Sequence, residues 1–102
     1  MITFEWDEEK NNANFIKHGI RFETAEYIFE DPLRIERADE DNSDTEDRRQ
    51  TIGRFKDVLF VIYTERGDVT RIISARQAEP FERRIYYGNS EAYPHGWQRS
   101  NP

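Results

Sequence analysis

Cysteine is absent from this chain, which excludes disulfide staples and thiol chemistry and suits a reducing compartment, so a cytoplasmic location is the expectation. Histidine is scarce: His18 and His95 are the two in the sequence, with no HExxH between them, and a metal site has little to build on. Long apolar runs are missing too. None approaches the roughly 20 residues that cross a bilayer, so no membrane role is expected. The opening "MITFEWDEEK" lacks a basic stretch followed by an apolar one, and does not read as a signal peptide. Walker loops, GxGxxG, GxSxG and CxxC are all missing. No cofactor is implied.

What is present is charge, unevenly spread. The 102 residues carry a net charge of −6. Residues 36 to 47, "ERADEDNSDTED", hold seven acids and one base, which is −6 in twelve positions. Residues 48 to 84 hold nine bases and five acids, or +4. Of the 15 basic residues, 12 are arginine and three lysine. Arginine is suited to bidentate phosphate contacts, although a solvated, ion-paired surface would use it as well. Within the acidic tract Asp39, Asp41 and Ser43 have the opening spacing of an EF-hand loop. Asp44 and Gln50 then stand where that loop needs Gly and Glu, so calcium is rejected.

One domain is expected over residues 1–88, with an acidic loop at 38–47 and a polar, turn-rich tail at 89–102. The tail is a candidate for disorder, with Tyr93 and Trp97 able to pin part of it. "ITFEW" alternates as a short strand. Asp7 is a candidate N-cap for a helix running through His18, with Gly19 at its left-handed end. Asn11, Asn12 and Asn14 are poor helix formers, so Ala13, Phe15 and Ile16 are expected to pack. A second helix spans roughly 23 to 30 and ends at Pro32. "LRIER" (33–37) reads as a strand. "RRQTIGRF", "DVLFVIYTE" and "DVTRIISAR" follow as three more. With Arg66 and Gly67 as turn residues, Ile62 faces Arg71 and Phe60 faces Ile73. Ser74, Arg76 and Tyr63 then share a polar face with Leu59, Val61 and Ile72, while Phe60 and Ile62 lie on the core face. A last helix starts at Pro80 and ends before Gly88.

"KHGI" is fully explained by capping, since Lys17 and His18 complement the negative helix end and Gly19 closes it. That leaves a chemical role for His18 open. Arg76 with Glu82, Arg83 and Tyr86 would suit cleavage of a phosphodiester without metal. Attack by a ribose 2′-OH needs a base, a cation over the phosphate and an acid for the 5′ oxygen. The arginines would stabilise charge, and Glu82, His18 or a tyrosine would move protons. Read blandly, Glu82 and Arg83 are ordinary helix-surface residues.

At "FEWDEEKNNANFIKHGIRFETAEYIFEDP" and "TERGDVTRIISARQAEPFERRIYY" the chain resembles the BrnT toxins of type II toxin–antitoxin systems. The pattern runs through Trp6, Asp7, Asn14, Lys17, His18, Gly19, Asp31, Gly53, Arg71, Arg76, Glu82, Arg83 and Tyr86, and covers about residues 3 to 87. The resemblance implies an α+β, RelE-like fold: two N-terminal helices, a twisted antiparallel sheet of about four to five strands, and a C-terminal helix. It implies a metal-independent endoribonuclease that blocks translation. It further implies a BrnA-type antitoxin with a ribbon-helix-helix domain, and operator DNA reached only through that partner. The family's catalytic positions match as His18, Arg76, Glu82, Arg83 and Tyr86. RNA binding falls to Lys17, Arg71, Tyr63 and Ser74. Two other readings stand beside it: a non-catalytic binding module on the same fold, and an acidic nucleic-acid mimic contacting a basic partner through residues 36 to 47.

Overall fold

The computed structural model describes residues 2–42, 47–88 and 93–100. Strand β1 (Thr3–Glu5) leads into helix α1 (Glu8–His18) and a short α2 (Phe22–Ala25), which tightens into a 3-10 segment over Glu26–Glu30. Strand β2 (Ile35–Ala38) is followed by β3 (Arg48–Phe55), β4 (Asp57–Arg66) and β5 (Val69–Gln77), then α3 (Pro80–Tyr86) and a last short strand, β6 (Gln98–Arg99). The fold is α+β, with three helices on one six-stranded mixed sheet of order β1-β5-β4-β3-β2-β6. One strand beyond the five read from the sequence, β6, accounts for the count, and β1 departs from the expected antiparallel arrangement. β1 lies parallel to β5 and makes the sheet mixed. β6 pairs with β2 and comes from the tail, whose Trp97 is buried. Gln98 and Arg99 are thus part of the sheet and Trp97 of its core, while 89–92 lie outside the described residues. No helix among the described residues is long and apolar enough to cross a membrane.

Helix α1 follows its caps and inverts its expected packing. The Asp7 carboxylate accepts from the Glu9 and Lys10 amides, and Gly19 takes φ 73° at the other end. Such an N-cap is worth about 1 kcal/mol. The helix is not held by Phe15 and Ile16, which are exposed; Ile16 is 85% exposed. Asn11 and Asn14 point inward instead. Asn11 donates to Glu8 (3.0 Å) and Glu23 (2.7 Å) and accepts from the Phe22 amide (2.9 Å), so it caps α2 from outside. Low helix propensity is offset because each buried amide satisfies backbone or carboxylate groups that would otherwise be orphaned.

Two cores flank the sheet. Phe22, Ala25 and Ile28 pack on Leu59, Val61, Ile72 and Ala75 on the helix-covered face. Ile35, Ile52, Val58 and Phe60 meet Tyr86 of α3 and Trp97 on the other. The β4–β5 register differs from the expected one. The turn sits at Gly67 and Asp68, pairing Arg66 with Val69 and Thr64 with Arg71. Between Ile62 and Tyr63 the register shifts, so Ile62 opposes Ser74 and Phe60 opposes Arg76. Ile73 is the extra residue of a β-bulge. One inserted residue flips every later side chain to the opposite face. Ala75 therefore joins Leu59 and Val61, and Ser74 and Arg76 join Ile62 and Phe60. This reverses the expected sorting beyond Ile73.

Candidate active site

The bulge delivers Arg76 to the sheet face covered by α3. Its guanidinium lies 4.2 Å above the Phe60 ring centroid, where the π face attracts a cation. Glu82 of α3, 4% exposed, clamps it with two parallel bonds, Nη1 to Oε1 at 2.7 Å and Nη2 to Oε2 at 2.9 Å. Nη1 also donates to the Gln77 carbonyl at 3.1 Å. The hydrogen bond to Glu82 pushes the Arg76 pKa up further, so its charge is permanent. Three of the five N–H donors are thus engaged. Nε–H and the second Nη2–H, which share one edge of the guanidinium plane, are taken by no described residue. The same Glu82 Oε1 accepts from the Glu79 amide at 2.8 Å, tying the clamp to the first turn of α3. Glu82 thus accepts three hydrogen bonds, two at Oε1 and one at Oε2, and two of them hold Arg76.

His18, at the end of α1, is partly exposed. Partial burial, then the charges of Lys17 and Arg76, hold its pKa below the ordinary histidine value. Arg76 is thus within electrostatic reach, and the shift favours the neutral imidazole, the form able to accept a proton. Lys17 is exposed beside it. Ser74 and Arg71 lie on the Arg76 side of β5, Ser74 opposite Ile62 and Arg71 in an ion pair with Glu5 at 3.3 Å. The Arg83 side chain stands exposed on α3 and makes no hydrogen bond or ion pair to any described residue, while its backbone serves the helix. No contact joins it to Arg76.

Two expected site residues are engaged elsewhere. Tyr63 is not on the arginine face: it is buried on the helix-covered side and donates to Glu36 at 2.6 Å. Burial, then that hydrogen bond, pushes its pKa up to about 12. The wrong face followed from the missed bulge and from treating a buried phenol as a surface one. Tyr86 is also buried, and its hydroxyl donates to Asp31 at 2.5 Å. Burial, then the bond to Asp31, raises its pKa well above the ordinary phenol value, so it holds its proton. Asp31 in turn accepts from the Arg54 and Leu33 amides. Asp31 and Asn14 are the residues whose roles were not foreseen. For Asn14 there was a signal: three asparagines in one short helix need a reason.

Among the described residues no three His, Cys, Asp or Glu side chains gather as metal ligands. The two remaining donors of Arg76 have the geometry to receive a pair of phosphate oxygens, and the Arg76 charge is felt at the His18 imidazole.

A model of the family described as ribonuclease toxin, BrnT, of type II toxin–antitoxin systems matches residues 6–82. That stretch includes His18, Arg71, Arg76 and Glu82, and stops just short of Arg83 and Tyr86. Among solved structures, the Brucella abortus ribonuclease toxin BrnT is similar to this chain at 25% identity and a TM-score of 0.57, covering 78% of this chain and 99% of that one. No curated protein matches. With the family model spanning 77 of 102 residues, the chain belongs to the BrnT family of ribonuclease toxins of type II toxin–antitoxin systems.

Proposed function

We propose that this chain is a metal-independent endoribonuclease that cuts RNA by attack of a ribose 2′-OH on the adjacent phosphate. The observation that carries this reading is the unengaged edge of Arg76, held in place by buried Glu82, with neutral His18 within reach of its charge. The Nε–H and Nη2–H fork receives two phosphate oxygens and meets the negative charge that builds in the transition state. His18 takes the 2′-OH proton. The 2′ oxygen bonds to phosphorus, the bond to the 5′ oxygen breaks, and that oxygen takes a proton from Lys17 or water. The product is a 2′,3′-cyclic phosphate. Lys17, Arg71 and Ser74 line the approach on either side, and Arg83 adds a cation at the rim. We further propose, from the family resemblance, that the fold is RelE-like, that cleavage blocks translation in the cytoplasm, and that the antitoxin is of the BrnA type with a ribbon-helix-helix domain.

The test is cleavage of single-stranded RNA by the purified chain in excess chelator. His18→Ala and Arg76→Ala should each lower the rate by about 10²-fold or more, and the product should end in a cyclic phosphate. Turnover unaffected by both substitutions would sink the reading. A second reading, a binding module on this fold, is favoured by the commitment of Glu82 to Arg76 and Tyr86 to Asp31, which leaves few groups free to move protons. It prevails if the wild-type chain binds RNA or its partner and cuts nothing.

A further inference from the structure

Beyond Arg71 the outer edge of β5 has no strand beside it among the described residues, because β1 pairs only as far as Glu5. The backbone groups of Ala75 on that edge are nonetheless satisfied. Asn14 donates Nδ2–H to the Ala75 carbonyl at 2.8 Å and accepts the Ala75 N–H at Oδ1 at 3.1 Å. Its second Nδ2–H goes to the Ile20 carbonyl at 2.8 Å, just past the end of α1. One side-chain amide therefore copies the donor–acceptor pair of a neighbouring strand, 61 residues away in sequence. Both its donors are used, and it is 8% exposed.

The position matters as much as the bonds. Ala75 immediately precedes Arg76. His18 follows Asn14 by four residues, one turn on, along the same face of α1. Asn14 thus joins the helix that carries the imidazole to the strand that carries the guanidinium, one residue from the latter. Ala75 also lies two residues past the bulge, where the β5 backbone has just changed register. No other hydrogen bond between α1 and β5 occurs among the described residues.

We propose that Asn14 is the positioning residue of this site: its paired bonds to Ala75 set the separation of His18 and Arg76. The inference rests on the ribonuclease reading for its catalytic consequence, but not for its geometry. Asn14 touches neither phosphate nor ribose. Without it α1 has no polar hold on β5, and the spacing between proton acceptor and cation becomes loose. A misplacement of about 1 Å can cost about 10²-fold in rate even far from the chemistry.

The experiment uses the two histidines as separate probes, with His95 as internal control. The imidazole proton resonances of the full chain are followed by NMR from pH 4.5 to 8.5, and assigned with His95→Gln. Asn14→Ala, and the milder Asn14→Ser, should raise the His18 midpoint toward the free-histidine value, because Arg76 and the shelter of β5 recede. His95 should not move. Asn11→Ala removes a still more deeply buried amide from the same helix, one that bonds only to α1 and α2. It should lower stability and leave the His18 midpoint where it was. In RNA cleavage, Asn14→Ala should reduce kcat at least tenfold with KM within twofold. On the wild-type chain, the Ala75 amide should exchange with solvent as slowly as the central sheet amides, a measurement that stands even if the variants fold poorly. An unmoved His18 midpoint in both Asn14 variants, an equal shift in Asn11→Ala, or fast exchange at Ala75 would each overturn the proposal. A wild-type chain that shows the NMR behaviour but cuts no RNA would overturn the ribonuclease reading and leave the geometry intact.

Discussion

At the scale of single residues, the molecule separates tyrosines that look chemical from a histidine that looks structural. Tyr86 sits on a helix one turn from Glu82, and its hydroxyl is nevertheless spent on Asp31 at 2.5 Å. Tyr86→Phe should therefore cost about 1 kcal/mol of stability, or roughly 5 °C in Tm, by leaving a carboxylate oxygen short of a donor. Its effect on kcat should stay within threefold, as RNA cleavage assays beside thermal melts would show. His18 is the reverse case. Its sequence context is accounted for by the end of a helix, yet burial, Lys17 and Arg76 all disfavour its charged form. The sign is direct: a lowered pKa means the neutral base persists to lower pH. The acidic limb of the kcat/KM profile should fall below pH 6.5, the ordinary histidine value. In Arg76→Lys the cation remains but the bidentate clamp does not, so activity should drop while that limb stays in place.

At the scale of elements, helix positions on the sheet are fixed by close backbone approach as much as by apolar burial. Gly53 of β3 lies under the 3-10 segment, and a Cβ there would come 2.9 Å from Ile28 Cβ and 3.1 Å from its carbonyl oxygen. Neither neighbour is a flexible tip. Gly53→Ala should destabilise the fold by about 2 kcal/mol, measured by urea unfolding, without altering the arginine face directly. The sequence announced α1, its Asp7 and Gly19 ends, the three long strands and the Pro80 start of α3, because caps, alternation and proline are local signals. It did not announce the bulge at Ile73. Nothing in "DVTRIISAR" distinguishes a regular strand from one with an extra residue, since both keep their apolar residues buried, on one face or the other of a sheet covered on both sides. Nor did it announce which side of α1 faces in. Phe15 and Ile16 are the apolar residues, but Asn11 and Asn14 satisfy backbone groups of α2 and β5 that only the assembled fold presents.

At the scale of the whole molecule, charge and tail both acquire a place. The acidic tract is not simply a solvated loop. Glu36 faces Tyr63, with Arg34 and Arg49 ion-paired to it at 3.6 and 3.7 Å, and Asp39 is buried. Its carboxylates at 44 and 46 lie outside the described residues. The tail returns to close the second core: Trp97 is 5% exposed, packed T-shaped against Phe60, with the Arg37 guanidinium 4.5 Å above its ring. Trp97→Ala should cost about 3 kcal/mol in chemical unfolding. It should also weaken cleavage beyond that loss, because Phe60 is the platform on which Arg76 lies.

By itself the sequence determined the elements, the α+β class, and which arginine and carboxylate are candidates for chemistry, because each depends on neighbours within a few residues or on one helix start. The tertiary structure alone decided which face receives Arg76, which tyrosines keep their protons for structural bonds, and that Asn14 stands in for a missing strand. Those outcomes turn on a one-residue slip in pairing and on contacts between residues up to 61 positions apart, and no local pattern carries information about either.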